Sequence, residues 1–224
     1  MEGAGEAMER ALGVEFYKRD VVKVAIDMLG MLLVSRTREG LAAGHVVEVE
    51  AYLSRGDAAC HASRGQTAGN TAMFGPPGMA YVYPIHSHCC FNVVTGAEGE
   101  PSAVLVRAVK PWKGEPLMKR RRGPFESRDL ARGPGRLCEA LGIGRERNQH
   151  DMTRGRGLWI ERSLGSALVE PTYCSPRIGV TAARDRYLRF FLLGNPYVSG
   201  PRQPVRKRPL EHRIDSEGVE WACK

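Results

Sequence analysis

Aromatic side chains are scarce in this 224-residue chain, at 7% of the total, and long apolar runs are absent. No stretch approaches the ~18 consecutive apolar residues of a membrane-spanning helix, so no membrane partner is expected. The opening residues, MEGAGEAMERALG, have no basic stretch leading into an apolar one, so the chain does not read as secreted. Six cysteines (Cys60, Cys89, Cys90, Cys138, Cys174, Cys223) are scattered without a Cys-x-x-Cys pair. That spacing argues against a structural zinc site and favours reduced thiols. Neither a Walker-type GK[ST] nor a dinucleotide fingerprint occurs, so no nucleotide cofactor is expected. Internal repeats and low-complexity blocks are also missing.

What the chain does have is positive charge. Lys and Arg number 33 against 25 acids, a formal net charge of +8. A balance of that kind favours an anionic macromolecule, nucleic acid first. With 42% apolar residues the chain supports a real core, and its length suits one domain. That domain is expected over 13–200, after a flexible N-terminus, 1–12, and before a basic, irregular tail, 201–224.

Asp20 is placed to cap a helix running to about Leu29. Strands are expected at Met31–Arg36, His45–Tyr52, Met79–Tyr83, Cys90–Thr95, Ser102–Lys110, Leu158–Glu161, Arg177–Val180 and Leu188–Leu193. A short helix, Arg136–Leu141, follows Gly133-Pro134-Gly135, and Lys113–Arg136 reads as basic and mostly polar. Many short strands, few helices and no regular βαβ rhythm predict an α+β domain with a mainly antiparallel sheet.

The chemistry concentrates between Val46 and Tyr83. Residues two apart on a strand face the same way, so Glu48, Glu50 and Tyr52 should share one face and Val47, Val49 and Ala51 the other. Such a pair of acids is either a solvated face or a catalytic carboxylate, and Tyr52 and His61 nearby favour a place where water is held and deprotonated. Tyr81 and Tyr83 likewise share a face, as core packing or as a stacking wall for a planar base. His61, His86 and His88 with neighbouring cysteines admit a metal-dependent hydrolase, although no recurrent ligand spacing occurs. The glycine-flanked helix start is either plain capping or a phosphate cradle. Lys119–Arg122 and Arg206–Arg208 are candidate phosphate contacts.

The segments VVEVEAYL, His61, MFGPPGMAYVY, CFNVVT, VLVRAVKP, GPGRLCEALGI and RIGV closely resemble the alkyladenine (3-methyladenine) DNA glycosylase family, from about Gly13 to Gly200. The resemblance implies a base-excision-repair hydrolase without lyase activity, acting on double-stranded DNA at 3-methyladenine, 7-methylguanine, hypoxanthine or ethenoadenine. It implies a curved antiparallel sheet with surrounding helices and a DNA-inserting hairpin. Glu50 would activate water, and Arg107 would orient that water and the target phosphate. Tyr52, His61 and Tyr83 would enclose the flipped base, Ile178 would line its pocket, and Asn92 would reject the exocyclic amino group of guanine. Glu48 would be structural. No cofactor or metal is implied, and a monomer is expected, in the cytoplasm with the nucleoid if bacterial or in the nucleus if eukaryotic.

The chain departs from the family at the hairpin. Tyr81-Val82-Tyr83-Pro84-Ile85-His86-Ser87 places Pro84, which lacks a donor, and His86, a smaller wedge, where a tyrosine usually intercalates. The departure motivates a second reading, a catalytically weak or silent damaged-DNA-binding protein on the same scaffold.

Overall fold

Strand β2 (Gly40–Tyr52) organises the fold. The computed structural model describes residues 10–163, 171–200, 208–215 and 218–223. One edge of β2 is lined by β5 (Ser102–Lys113). Its other edge is divided between β1 (Leu32–Thr37), which covers residues 40–45, and β8 (Arg189–Leu192), which covers 48–50. Two different partners on one edge, and register shifts against β5 around Val46–Val49, bend the strand. The result is a curled antiparallel half-barrel. Beyond β5 lie β4 (His88–Thr95) and then β3 (Ala80–Ile85), joined as a hairpin. On the far side β8 pairs with β7 (Thr172–Ser175), and β6 (Leu158–Glu161) extends β1.

The tail, expected to be irregular, includes β9 (Arg208–Asp215) and β10 (Gly218–Cys223), with β9 paired to β7. The expected strand at Arg177–Val180 is not one. The extended segment lies just earlier, at β7, and residues 177–180 form an irregular loop across the end of β2. Pro176 interrupts the strand pattern there, which a short apolar run after it concealed. At the other end Ala11 bridges Glu161 and Leu12 is buried, so residues read as frayed belong to the packed domain.

Helices α1 (Val14–Tyr17) and α2 (Val21–Asp27) precede the sheet. The Asp20 carboxylate caps α2 as expected, accepting from the amides of Val22 and Lys23. Three more, α3 (Glu115–Arg122), α4 (Ser127–Leu130) and α5 (Pro134–Leu141), cover the core. Helix α5 begins two residues before the expected start because Pro134, with its fixed φ and no amide to orphan, suits the first turn. Helix α3 falls in the stretch read as merely basic. Only Leu117 and Met118 of it are buried, too few apolar residues to register as a helical stripe.

The sheet separates a core from a cavity by strict alternation. Val49 and Ala51, Ala80 and Val82, Phe91 and Val93, and Val104 and Val106 all join the main apolar cluster. The intervening residues face the other way. Val47 breaks the expected pattern: it packs with Ala108 and Leu192 in a separate cluster, because it is the extra residue of the bulge opposite Ala108 and Val109. Cys174 is disulfide-bonded, contrary to the expectation of reduced thiols throughout, while Cys60, Cys89, Cys90 and Cys138 are free. Bonding depends on which strands lie side by side, and cysteine spacing does not report that.

Candidate active site

The non-core face of β2–β5 lines a cavity of about 580 Å³, within the size range of small-molecule sites. Its wall takes Tyr52 from β2, Tyr81 and Tyr83 from β3, Asn92 from β4, and Leu105 and Arg107 from β5. The loop after β2 adds His61, and the irregular loop after β7 adds Ile178. Thus Tyr52, His61, Tyr83, Asn92, Arg107 and Ile178, six residues singled out from the sequence, meet at one cavity.

Glu50 lies directly behind this wall and is fully buried. Three of the wall residues hold its carboxylate. Arg107 Nη1 pairs with Oε1 at 3.1 Å, and the Ile178 amide donates to the same oxygen at 2.8 Å. The Tyr52 hydroxyl donates to Oε2 at 2.8 Å. A carboxylate offers about four acceptor sites, so Oε2 keeps one for a further donor.

Glu48, also fully buried, is tied instead to the scaffold. It accepts from Arg107 Nε at 2.9 Å, Arg189 Nε at 2.6 Å, and both the amide and the hydroxyl of Ser199. Arg107 therefore bridges the two acids. Burial alone would lower the Arg107 guanidinium, but Glu50 first and Glu48 second outweigh it and hold it above its ordinary value. Two arginines and two glutamates balance in charge, which makes their burial tolerable.

The aromatic wall is mutually braced. His61 Nδ1 and the Tyr81 hydroxyl lie 2.9 Å apart, and the His61 and Tyr83 rings meet at 4.5 Å, inclined by 67°. Desolvation lowers the His61 imidazole, so its neutral form is favoured. Burial, reinforced by Glu50, raises the Tyr52 phenol far above its usual range, keeping it a proton donor to the carboxylate. Burial likewise raises Tyr83, and Tyr81 to about 12. Asn92 is buried, its amide nitrogen donating to the Tyr81 carbonyl at 3.0 Å, which sets the direction of the side chain.

His86 stands apart from this group, exposed at the tip of the β3–β4 hairpin with φ of 51°. Its neighbour Ile85, 43% exposed, reaches the cavity mouth. The Lys119–Arg122 cluster is largely committed within the chain. Lys119 pairs with Glu115, Arg121 with Glu39, and Arg122 with Glu139. Arg121 and Arg122 are mostly covered, while Lys119 and Arg120 stay exposed. The side chains of Arg206–Arg208 lie outside the described residues. Among the described residues no group of three His, Cys, Asp or Glu is placed to hold a metal ion, and no helix is long and apolar enough to cross a membrane.

Sequence reasoning missed Asp57 and Arg177, which form a fully buried bidentate ion pair beneath Tyr52. They are 120 residues apart, and no local pattern links them. Arg189 and Ser199 were missed for the same reason.

The site thus joins an aromatic cavity to a clamped carboxylate in a strongly basic chain, and comparison with known proteins places it among enzymes that hydrolyse N-glycosyl bonds in DNA. The family described as methylpurine-DNA glycosylase (MPG) matches residues 15–196, and the chain belongs to that family. Relatives named "Putative 3-methyladenine DNA glycosylase" include one from Methanoculleus marisnigri, 49% identical over 84% of this chain and 98% of its own length. One from Carboxydothermus hydrogenoformans is 46% identical over 83% of this chain and 96% of its own. One from Chlorobaculum parvum is 39% identical over 92% and 99%.

Proposed function

We propose that the chain excises alkylated or deaminated purines, among them 3-methyladenine, 7-methylguanine, hypoxanthine and ethenoadenine, from double-stranded DNA. It acts as a monomer, by base flipping and water activation. The observation that carries this reading is the clamping of Glu50 by three residues of the cavity wall. A flipped base between Tyr52, His61 and Tyr83 recovers some of the stacking lost on extrusion. A water is admitted to the remaining site on the buried Glu50 Oε2 as the wall opens to receive the base. It attacks C1′ of the sugar and passes its proton to the carboxylate, while the C1′–N bond breaks and its electron pair leaves with the base. The carboxylate also stabilises the positive charge that develops on the sugar. Arg107 holds Glu50 in place and orients the water and the target phosphate. A cationic alkylpurine leaves without an acid, so a single carboxylate suffices for it, unlike the acid pair of ordinary glycosidases. Neutral hypoxanthine or ethenoadenine takes the proton it needs on leaving from solvent. Asn92, fixed by the Tyr81 carbonyl, confronts the exocyclic amino group of guanine, and Ile178 packs against the base. His86, at the hairpin tip, fills the gap left in the duplex.

Single-turnover incubation with duplexes carrying hypoxanthine or ethenoadenine tests the reading. Alkali-labile abasic sites should form with the native protein. With Glu50→Gln the rate should fall at least about a hundredfold, the low end of the usual contribution of a general base. DNA binding without excision by the native protein would instead establish a silent binding protein.

A further inference from the structure

We infer that Arg177, through the back face of Tyr52, sets how strongly the pocket prefers cationic over neutral bases. The inference rests on the function proposed above. Arg177 lies next to Ile178 on the loop that closes the site, and its guanidinium carbon stands 4.5 Å from the centre of the Tyr52 ring. Tyr52 lines the cavity and Arg177 does not, so the cation covers the ring face turned away from the base. Asp57 holds it there with two bonds of 2.7 and 2.6 Å, and the Ala51 carbonyl accepts a third at 2.9 Å. Both side chains of the pair are fully buried, so water does not screen the arrangement.

The electrostatic consequence follows from the ring itself. The face of an aromatic ring is electron-rich and attracts cations. A guanidinium on one face draws density toward itself and makes the opposite face less attractive to a second cation. Asp57 balances the charge of Arg177 but bonds the terminal nitrogens at the edge of the guanidinium, so the group that stands over the ring is the cation. A positively charged base such as 3-methyladenine in DNA therefore stacks on Tyr52 less favourably than it would on an unbacked tyrosine. A neutral base such as hypoxanthine is nearly indifferent. Arg177 narrows the preference for cationic lesions and keeps neutral ones within reach.

The test compares single-turnover excision of 3-methyladenine from methylated duplex with that of hypoxanthine, for native protein and two variants. Arg177→Met combined with Asp57→Asn removes the pair without leaving a lone buried charge. The 3-methyladenine to hypoxanthine rate ratio, at subsaturating enzyme, should rise about threefold or more. Arg177→Lys, which keeps a cation beside Asp57, should stay closer to the native ratio. Because Ile178 also donates to Glu50, a purely structural role for Arg177 would slow both bases alike and leave the ratio unchanged, and that result overturns the inference. Thermal melting confirms that each variant is folded, and Arg177→Lys reports by itself if the double variant is not: a ratio raised as far as expected for full removal would also overturn the inference. Failure of the native protein to excise either base would refute the proposed function instead.

Discussion

Glu48 and Glu50 differ by two positions, share a strand face and are equally buried, yet they are held by different partners. The Oε1 of Glu48 takes three donors, and its Oε2 faces the Ser199 amide, which can only donate. A glutamine there must turn its NH₂ toward one donor or another. Glu50 Oε2 meets the Tyr52 hydroxyl, which can rotate and become an acceptor. Glu48→Gln should therefore cost about 3 kcal/mol of stability, the scale of a broken buried ion pair. Glu50→Gln should cost clearly less while abolishing excision. Urea unfolding of both variants checks this, and equal destabilisation would remove the distinction. The resemblance already gave Glu50 the water and Glu48 a structural place, but the partners that make the two acids differ were not visible in any local pattern. They include Arg189 and Ser199, 141 and 151 residues away from Glu48.

At the scale of elements, the alternation of strands was the most legible feature. Tyr81 with Tyr83, and Ala103 with Leu105 and Arg107, face the cavity as period-two reading requires, since side-chain direction is a local property of an extended backbone. Bulges were not legible, because an extra residue in β2 is defined only against its partner β5. The hairpin is where element and function meet. Two-residue turns favour glycine or asparagine at positive φ, and His86 occupies that conformation at the tip. On the proposed function His86 is the wedge, and being smaller than a tyrosine it would fill less of the vacated stack. His86→Tyr should therefore raise excision of hypoxanthine from a well-paired duplex severalfold, and raise it less opposite a mismatch. The ratio of the two single-turnover rates measures the effect. Identical binding and excision in the variant would remove His86 from the role of wedge.

The whole molecule carries a net charge of +8, but much of its basic character is used internally. Three of the four cations in the Lys119–Arg122 run pair with glutamates, and Arg107, Arg177 and Arg189 are buried against acids. DNA contacts then depend on a smaller set of exposed arginines and lysines than the composition suggests. If roughly four phosphates are neutralised, affinity for duplex should fall about a hundredfold between 50 and 200 mM salt. Fluorescence anisotropy across that range gives the slope, and a flat response would count against DNA as the substrate.

The sequence by itself determined the strand alternation, the carboxylate on β2, the tyrosine wall and the family, because each resides in a short contiguous pattern. Only the tertiary structure decided which groups hold each acid: Tyr52, Arg107 and the Ile178 amide on Glu50, and Arg107, Arg189 and Ser199 on Glu48. It also decided which arginines remain available to DNA, and that Arg177 backs Tyr52. The physical reason is range. Strand period is set by neighbouring residues, whereas charge neutralisation is set by whichever groups the topology brings within about 3 Å, however far apart they lie along the chain.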